Sequence, residues 1–210
     1  MKYFIQPSEI QLIENKIKSF EEKTGCELLL VVTNASDPYP GASWRFGVFS
    51  SFMMTLIFSY YFEFHHAIFW PVTFFITTLL LTSLGNYSFL KRLALSSWEI
   101  ERETREKATE LFHTLGTSKV GHKVTAMICI SVLERKIHIL VDETLKEKMI
   151  QTELDQLIDV MKNHFQDQKM SEGLHKSIEI LEEKILTKFQ GKASNVNVSE
   201  LSDTIHFIKV

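Results

Sequence analysis

The chain lacks a surplus of basic residues. Of its 210 residues, 23 are Lys or Arg and 26 are Asp or Glu, which gives a formal net charge of −3. Proteins that bind nucleic acids usually carry a basic face, because Lys and Arg neutralise the phosphates. The composition therefore argues against a nucleic-acid partner, and we expect none.

Cysteine is nearly absent as well. The two cysteines, Cys26 and Cys129, both lie within apolar segments that are typical of strands. A cysteine in such a segment usually behaves as a small, buried apolar side chain. We therefore expect two free thiols and no disulfide.

Charge is almost missing from a long stretch in the first half of the chain. Residues 46–64 and 67–85 are two apolar segments, and Glu63 is the one Asp, Glu, Lys or Arg within them. A helix of about 19 residues extends about 28 Å, close to the thickness of the hydrocarbon core of a bilayer. The stretch predicts two transmembrane helices joined by a tight turn, with membrane lipid as their surroundings.

The charges that flank these segments predict their orientation. Arg45 precedes the first segment, Lys91 and Arg92 follow the second, and the turn between them carries no Lys or Arg. Because positive charge concentrates on the cytoplasmic side, both ends are expected there. The sequence thus predicts a multi-pass protein of the inner membrane whose remaining residues form a cytoplasmic soluble domain.

The rest of the chain alternates between helix and strand patterns. The continuous apolar segment 26–33 predicts a strand that is covered on both faces. Helical spacing of apolar residues precedes it and recurs later. The further elements expected are a helix near 97–115, strands at 125–132 and 136–143 joined by a short turn, and helices near 144–166 and 171–189.

The order of these elements predicts one α/β domain that is split by the hairpin. The strand at 26–33 has no partner until the two later strands arrive. We therefore predict one domain formed by residues 1–43 and 90–210, with the transmembrane hairpin inserted at 44–89. The expected fold is a three-layer α/β sandwich around a small mixed central sheet.

Several short motifs in the chain resemble those of the TPM domain family, which is named after a thylakoid photosystem repair protein and nematode membrane relatives. TGCEL at 24–28 resembles the family's T-x-x-E strand, and SELSD at 199–203 its closing N-E-L-P-D. Between them, KATELFHTLG resembles an A-x-x-x-F helix, SVLERKIHILVDE an S-x-x-E-R…D strand pair, and EGLHKSI a G-L-x-x-x-I helix. The chain looks like a membrane-anchored, bacterial-type member with the hairpin inserted in its domain.

This resemblance implies an α/β sandwich with helices on both faces of the sheet, and it implies links to acid-phosphatase activity, calcium binding and membrane-protein assembly or repair. The chain departs from the family pattern at two places. Thr125 stands where the family tends to have glycine, and Asp142-Glu143-Thr144 stands where it tends to have Asp-x-Gly. Loss of a glycine restricts the backbone, so a ligand loop at these positions is expected to be altered.

Acidic residues follow two of the predicted strands. Asp37 comes shortly after the first strand, and Asp142 and Glu143 end the third. In open α/β sheets ligands collect beyond the carboxyl ends of strands, and Ca²⁺ prefers carboxylate and carbonyl oxygens. These three residues are the candidate metal ligands, with calcium as the candidate ion. In the structural alternative, Asp37 forms an Asx-turn before Pro38 and Asp142 caps the following helix.

The chain lacks the common phosphatase motifs, having no P-loop, no C-x5-R and no D-x-D-x-T/V segment. His138 alternates with apolar neighbours, which favours a residue on a sheet face over a general base. The favoured function is a non-enzymatic adaptor or assembly factor at the membrane. Two alternatives stay open: a metal-dependent acid phosphatase, and a structural component that engages other membrane proteins through hairpin residues Ser50, Ser51, Thr55 and Ser59.

Overall fold

The structure, a computed structural model, describes residues 7–61, 67–117, 124–166, 170–188 and 204–209. The chain divides into two compact units. The first, Met1–Ser36 with Thr104–Val210, is called the sheet unit below, and the second, Asp37–Glu103, the helical unit. The predicted turn EFHH at 63–66 and the SELSD motif at 199–203 lie outside the described residues.

Eight helices and four strands are assigned in the described residues. The helices are α1 (Pro7–Thr24), α2 (Pro40–Tyr61), α3 (Phe69–Leu84), α4 (Ser88–Leu93), α5 (Ser97–Leu111), α6 (Glu143–Lys146), α7 (Gln151–Gln166) and α8 (Met170–Lys188). The strands are β1 (Glu27–Thr33), β2 (Thr125–Ser131), β3 (Lys136–Val141) and β4 (His206–Ile208). A π-helical turn, Phe112–Thr117, directly follows α5.

The four strands form one mixed sheet in the order β3-β2-β1-β4. Strand β1 pairs in parallel with β2 and with β4, whereas β2 and β3 are antiparallel. The predicted α/β fold with a mixed sheet is therefore confirmed. Strand β4 was not predicted, because three residues after a polar segment carry too little pattern.

Apolar side chains cover both faces of the sheet. On one face, Leu28, Leu30 and Val32 of β1 pack in a core with residues of α1, α7 and α8. On the other face, Leu29 and Val31 pack with the last turns of α5 and the π-helical turn. All seven residues of β1 are buried, which explains why its sequence is continuously apolar instead of alternating.

The helical unit contains α2, α3, α4 and the first part of α5. It extends over Asp37–Glu103, whereas the predicted insertion covered 44–89. The N-terminal part of α5 belongs to this unit, and its Glu99 forms an ion pair with Arg45 of α2.

The prediction of two transmembrane helices is wrong. Among the described residues, no helix combines the length and the apolar character that crossing a membrane requires. Helix α3 has 16 residues, which corresponds to about 24 Å against about 30 Å of hydrocarbon. Helix α2 is longer, but Arg45 and several hydroxyl side chains dilute its apolar residues.

Two further predictions depended on these transmembrane helices and are wrong as well. Membrane lipid as a partner through two transmembrane helices, and placement as a multi-pass protein of the inner membrane, both required helices of spanning length. The cytoplasmic orientation derived from Arg45, Lys91 and Arg92 depended on the same spans and is withdrawn as well.

The G-L-x-x-x-I motif has a clear packing role in α8. Leu174 and Ile178 are fully buried, and Gly173 lies so close to α7 that a Cβ atom there would be 2.8 Å from Cβ of His164. Carbon atoms pack at about 3.5–4.0 Å. Glycine is therefore required by the close approach of the two helices.

We predict that Gly173→Ala destabilises the sheet unit. The gain in helix propensity, about 1 kcal/mol, is set against overpacking of about 1–3 kcal/mol, so we expect a net loss of up to about 2 kcal/mol in the free energy of unfolding. Chemical denaturation measures it. Gly41→Ala is the matched control, because nothing lies within 4 Å of a Cβ at Gly41; equal effects of the two substitutions would contradict the packing role.

Candidate functional site

The contact between α2 and α3 is formed by small and polar side chains. The Oγ of Ser51 lies 2.7 Å from Oγ1 of Thr78 and donates to the carbonyl oxygen of Phe74 at 3.2 Å. Thr77 donates to the same Ser51 Oγ at 3.1 Å. A Cβ at Gly47 would overlap Thr82, so the two helix backbones approach closely there. We call Gly47, Ser51, Thr77, Thr78 and Thr82 the polar seam.

The opposite sides of α2 and α3 are apolar and exposed. Phe49 and Phe75 are each 67% exposed, and Leu79 is 66% exposed, whereas Ser51 is completely buried. This reverses the usual distribution, in which the apolar stripe of a helix faces its neighbour. We call the exposed apolar residues of α2 and α3 the outer face; its members are Trp44, Val48, Phe49, Phe52, Met53, Met54, Leu56, Ile57, Phe69, Val72, Phe75, Ile76, Leu79, Leu80 and Leu84.

A groove of about 980 Å³ runs along part of the outer face. Its wall on α2 contains Trp44, Val48 and Phe52, which succeed one another at four-residue intervals and so form one row on the helix. Leu93, at the end of α4, lies on another side of the groove. The lining is thus dominated by aromatic and aliphatic side chains.

The one charged residue in the lining of this groove, Arg45, is already neutralised. Its two terminal nitrogens donate to the two carboxylate oxygens of Glu99, each at 2.8 Å. Glu99 also completes a capping box with Ser96 at the start of α5. The Arg45 guanidinium holds the pKa of Glu99 at about 2, well below its usual value of 4.5.

The sheet unit places Asp142 in a structural role. Its Oδ1 accepts from the backbone N–H of Leu145 at 2.9 Å and so caps α6. Its Oδ2 accepts from the N–H of Thr125 at 3.2 Å, which joins the end of β3 to the start of β2. The capping role expected in the structural alternative is therefore confirmed.

Asp37 and Glu143 have separate surroundings. Asp37 Oδ2 accepts from the N–H of Tyr39 at 2.6 Å, which is the Asx-turn of the structural alternative. The side chain of Glu143 is 90% exposed and pairs only loosely with Lys146, at 3.4 Å. Tyr39 itself has a positive φ of 49° at this turn.

The three predicted metal ligands are not brought together within the sheet. Asp142 follows Val141, which is opposite Ala126 at the amino end of β2. Asp37 follows the carboxyl end of β1, where Thr33 is opposite Ser131 at the carboxyl end of β2. Over the described part of the chain, no group of three or more His, Cys, Asp or Glu is arranged to hold a metal ion. Calcium binding at Asp37, Asp142 and Glu143 stays a prediction.

A buried polar cluster lies at the carboxyl ends of β1 and β2. The carboxylate of Glu134, which is 3% exposed, accepts from the backbone N–H of Ser36 at 2.8 Å and from the hydroxyl of Ser131. Ser131 Oγ in turn accepts from Thr33 at 3.2 Å and from Ser36 Oγ at 3.1 Å. The cluster ties the loop after β1 to the turn after β2.

This cluster accounts for the S-x-x-E-R motif. Ser131 and Glu134 supply its hydrogen bonds, and Arg135 adopts a positive φ of 55° that allows the tight turn into β3. Sequence reasoning noticed the motif but did not assign Glu134 a role, since its partner Ser36 is 98 residues away in sequence. The available signal was a glutamate three residues beyond the end of a buried strand.

These sheet-unit motifs lie in a segment with recognisable relatives. Residues 94–184 match the model of the TPM domain family. The matched segment runs from just before α5 into α8 and so contains the A-x-x-x-F, S-x-x-E-R and G-L-x-x-x-I motifs. The resemblance expected from the sequence is confirmed for this TPM segment, whereas TGCEL at 24–28 and SELSD at 199–203 lie outside the match.

A solved structure also resembles the chain. The NMR structure of BA42 protein from the psychrophilic bacterium Bizionia argentinensis has 14% sequence identity, covers 97% of this chain and 95% of that chain, and superposes with a TM-score of 0.59. At this identity the likeness concerns the fold alone. A comparison with curated proteins gave no significant match.

Two other polar residues of the TPM segment have structural partners. His138 Nε2 lies 2.9 Å from Oγ1 of Thr104 on α5, which agrees with the expected position on a sheet face. At the first departure from the family pattern, Thr125 is buried and donates its N–H to Asp142. The backbone N–H of Thr125 is therefore already used in the hydrogen bond that joins β2 to the end of β3.

The two cysteines are free and buried, as expected. Burial raises the pKa of the Cys26 thiol to about 11 and that of Cys129 to about 12. Both therefore stay protonated near neutral pH, and a thiolate nucleophile at either position is disfavoured.

We predict that Glu134→Ala lowers the free energy of unfolding of the sheet unit by about 2–3 kcal/mol, because the buried N–H of Ser36 and hydroxyl of Ser131 lose their charged acceptor. Denaturant titration followed by circular dichroism measures this. Glu143→Ala, at an exposed position, should change stability by less than about 0.5 kcal/mol. A loss at Glu134 no larger than that at Glu143 would contradict a structural role for the cluster.

We also predict that Arg45→Gln raises the pKa of Glu99 from about 2 towards 4.5, since the guanidinium is the main cause of the depression. Because the folded-state pKa is lowered, the stabilisation by this pair is fully present above pH 4.5 and is lost as the pH falls towards 2. Titration of the Glu99 carboxyl carbon by NMR measures the shift. Arg92→Gln removes the same charge elsewhere and should leave the Glu99 pKa unchanged; a shift of equal size there would show a long-range charge effect.

Proposed function

We propose that this chain is a non-enzymatic adaptor or assembly factor that binds a partner protein through the outer face of α2 and α3. The observation that carries the proposal is the inverted polarity of these helices. Their hydroxyl groups are hydrogen-bonded to each other at the polar seam, while aromatic and aliphatic side chains are exposed on the other side.

The size of the outer face supports a binding role. Monomeric proteins rarely expose contiguous apolar patches larger than a few hundred Å², and larger patches mark interaction sites. Fully burying one Phe or Leu side chain contributes about 1.5–3 kcal/mol. Covering side chains such as Phe49, Phe75 and Leu79 therefore contributes several kcal/mol. Because association itself costs about 4–15 kcal/mol in lost freedom of motion, a stable complex is expected to bury most of the outer face.

The chemistry of the outer face limits the partner. Over Phe46–Tyr61 of α2 and over Phe69–Leu84 of α3 there is no Asp, Glu, Lys or Arg. A complementary surface must therefore be apolar and uncharged at its centre, because a charge buried there would be left without a partner. An apolar surface of another protein meets this requirement.

The sheet unit supports an adaptor over an enzyme. Asp142 and Glu134 are committed to hydrogen bonds with backbone N–H groups and with Ser131. Side chains with such constant structural partners are poorly suited to exchanging protons with a substrate. The metal-dependent acid phosphatase stays an alternative prediction, and no specific contact favours it.

The third alternative is a hairpin that engages other proteins through its hydroxyl groups. Two of those hydroxyl groups already have hydrogen-bond partners within the helical unit. Ser51 is engaged with Phe74 and Thr78, and Thr55 donates to the carbonyl oxygen of Ser51 at 2.9 Å. Ser51 is therefore occupied in the seam and Thr55 in its own helix, whereas Ser50 is half-buried and Ser59 is exposed. The contacts that we propose with a partner are mainly apolar.

Site-specific photo-crosslinking in the producing cells tests the adaptor proposal. A photoreactive phenylalanine analogue is placed at Phe49 or Phe75 on the outer face, and at Leu12 of α1, which is also apolar and 57% exposed, as the matched control. We expect one identified protein to crosslink from Phe49 and Phe75 but not from Leu12, and the purified pair to associate with an affinity that Leu79→Glu lowers at least tenfold.

Two results would overturn the proposal. One is the absence of a specific adduct at both outer-face positions when the protein is folded and abundant. The other is hydrolysis of a phosphomonoester by the purified chain that is lost in Asp37→Asn, a change that keeps the side chain's size and the one acceptor oxygen that its bond to the N–H of Tyr39 needs.

A further inference from the structure

The groove on α2 has dimensions that suit a helix. Trp44 and Phe52 mark its row of residues on α2 and are separated by eight residues, or about 12 Å of helix rise. The groove volume of about 980 Å³ is close to that of two turns of an α-helix about 10 Å across, which occupy about 850 Å³. A single acyl chain is thinner than a helix and would fill only part of the groove.

The arrangement of side chains along the groove also suits a helix. Trp44, Val48 and Phe52 form a ridge at four-residue spacing, and Phe49 lies beside it. Ridges of this kind interdigitate with the corresponding ridges of a second helix. Docking of an apolar helix into a hydrophobic groove is also a recurrent mode of recognition, in which residues spaced by three and four positions act as anchors.

Charge complementarity selects the type of helix. Arg45 is held by both carboxylate oxygens of Glu99, so the groove offers no unneutralised charge. A helix with an acidic or basic contact face would lose its hydration without gaining an ion pair. The face that enters the groove must therefore be uncharged.

We infer that the groove between α2 and Leu93 binds one helix of the partner protein, through an uncharged apolar face of about two turns. This inference rests on the proposed adaptor function and specifies its partner. Trp44 and Val48 contact the incoming helix along the ridge, and Phe49 packs at its side.

Trp44 provides a direct readout of this binding. The chain has three tryptophans, so Trp70→Phe with Trp98→Phe leaves Trp44 as the single emitter. The probe is a synthetic 16-residue helix with Leu and Ala on one face and Lys on the other, and a peptide of the same composition with the Leu residues dispersed serves as its control. We expect a saturable blue shift of Trp44 emission with the first peptide and none with the second.

Substitutions in this background identify the surface. Phe49→Asp, at an exposed groove position, should weaken binding of the helical peptide at least tenfold, whereas Leu12→Asp, exposed on α1 and part of neither the groove lining nor the outer face, should change it less than twofold. Circular dichroism checks that both variants keep their helix content. Equal effects of the two substitutions would overturn the inference.

Other occupants give different results and would also overturn it. A blue shift with sodium laurate but not with the helical peptide would indicate an acyl chain. A shift that appears with rising protein concentration alone, together with a dimer in analytical ultracentrifugation, would indicate a second copy. If the peptide fails to bind while Phe75 still crosslinks one partner, the adaptor proposal stands and only the groove assignment falls.

Discussion

The pairing of β1 with β2 is the constraint on which the rest of the sheet unit depends. Every residue of β1 is buried, so its backbone N–H and C=O groups must find partners within the protein. On one side those partners come from β2, which is paired over the full length from Glu27 to Thr33. On the other side β4 pairs with Val31–Thr33, and the carboxylate of Glu21 accepts from the N–H of Leu28. The backbone groups of β1 therefore gain their hydrogen-bond partners in β2 only after the chain has passed through residues 34–124.

The same pairing explains where polar groups can be buried in the sheet unit. At the carboxyl ends of β1 and β2, the cluster of Thr33, Ser131 and Glu134 closes the sheet with hydrogen bonds between the two strand ends. At the amino ends of β1 and β2, Asp142 accepts a hydrogen bond from Thr125 and so joins the end of β3 to the start of β2. Of the three candidate metal ligands, Asp142 thus holds strand ends together, and Glu134 does the same at the other end of the strands.

Much of this fold could be predicted from the sequence, because burial on both faces leaves a strong pattern. Strands β1, β2 and β3 are apolar segments bounded by polar turns, and the capping role of Asp142 follows from its place before a helix. The break between α6 and α7 and the short strand β4 could not be predicted, since neither has a distinctive periodicity. The role of Glu134 depends on Ser36, and a contact across 98 residues has no local signal.

The failure of the transmembrane prediction has a different origin. Composition reports how apolar α2 and α3 are, but it does not report that Ser51 and Thr78 meet each other or that α3 has only 16 residues. An average hydropathy over each segment combines the residues of the polar seam with those of the outer face, so it does not show that they lie on different sides of the helices. The structure separates them, and the proposed function depends on that separation.

Thiol labelling of single cysteine variants measures this separation most directly. The native Cys26 and Cys129 are each only 4% exposed, so they give a slow background. We predict fast labelling of Phe49→Cys and Leu79→Cys in the folded, unbound protein, and labelling of Ser51→Cys and Thr78→Cys at least a hundredfold slower. Fast labelling at 51 and 78 with protection at 49 and 79 would contradict it, because the apolar side chains would then face inward.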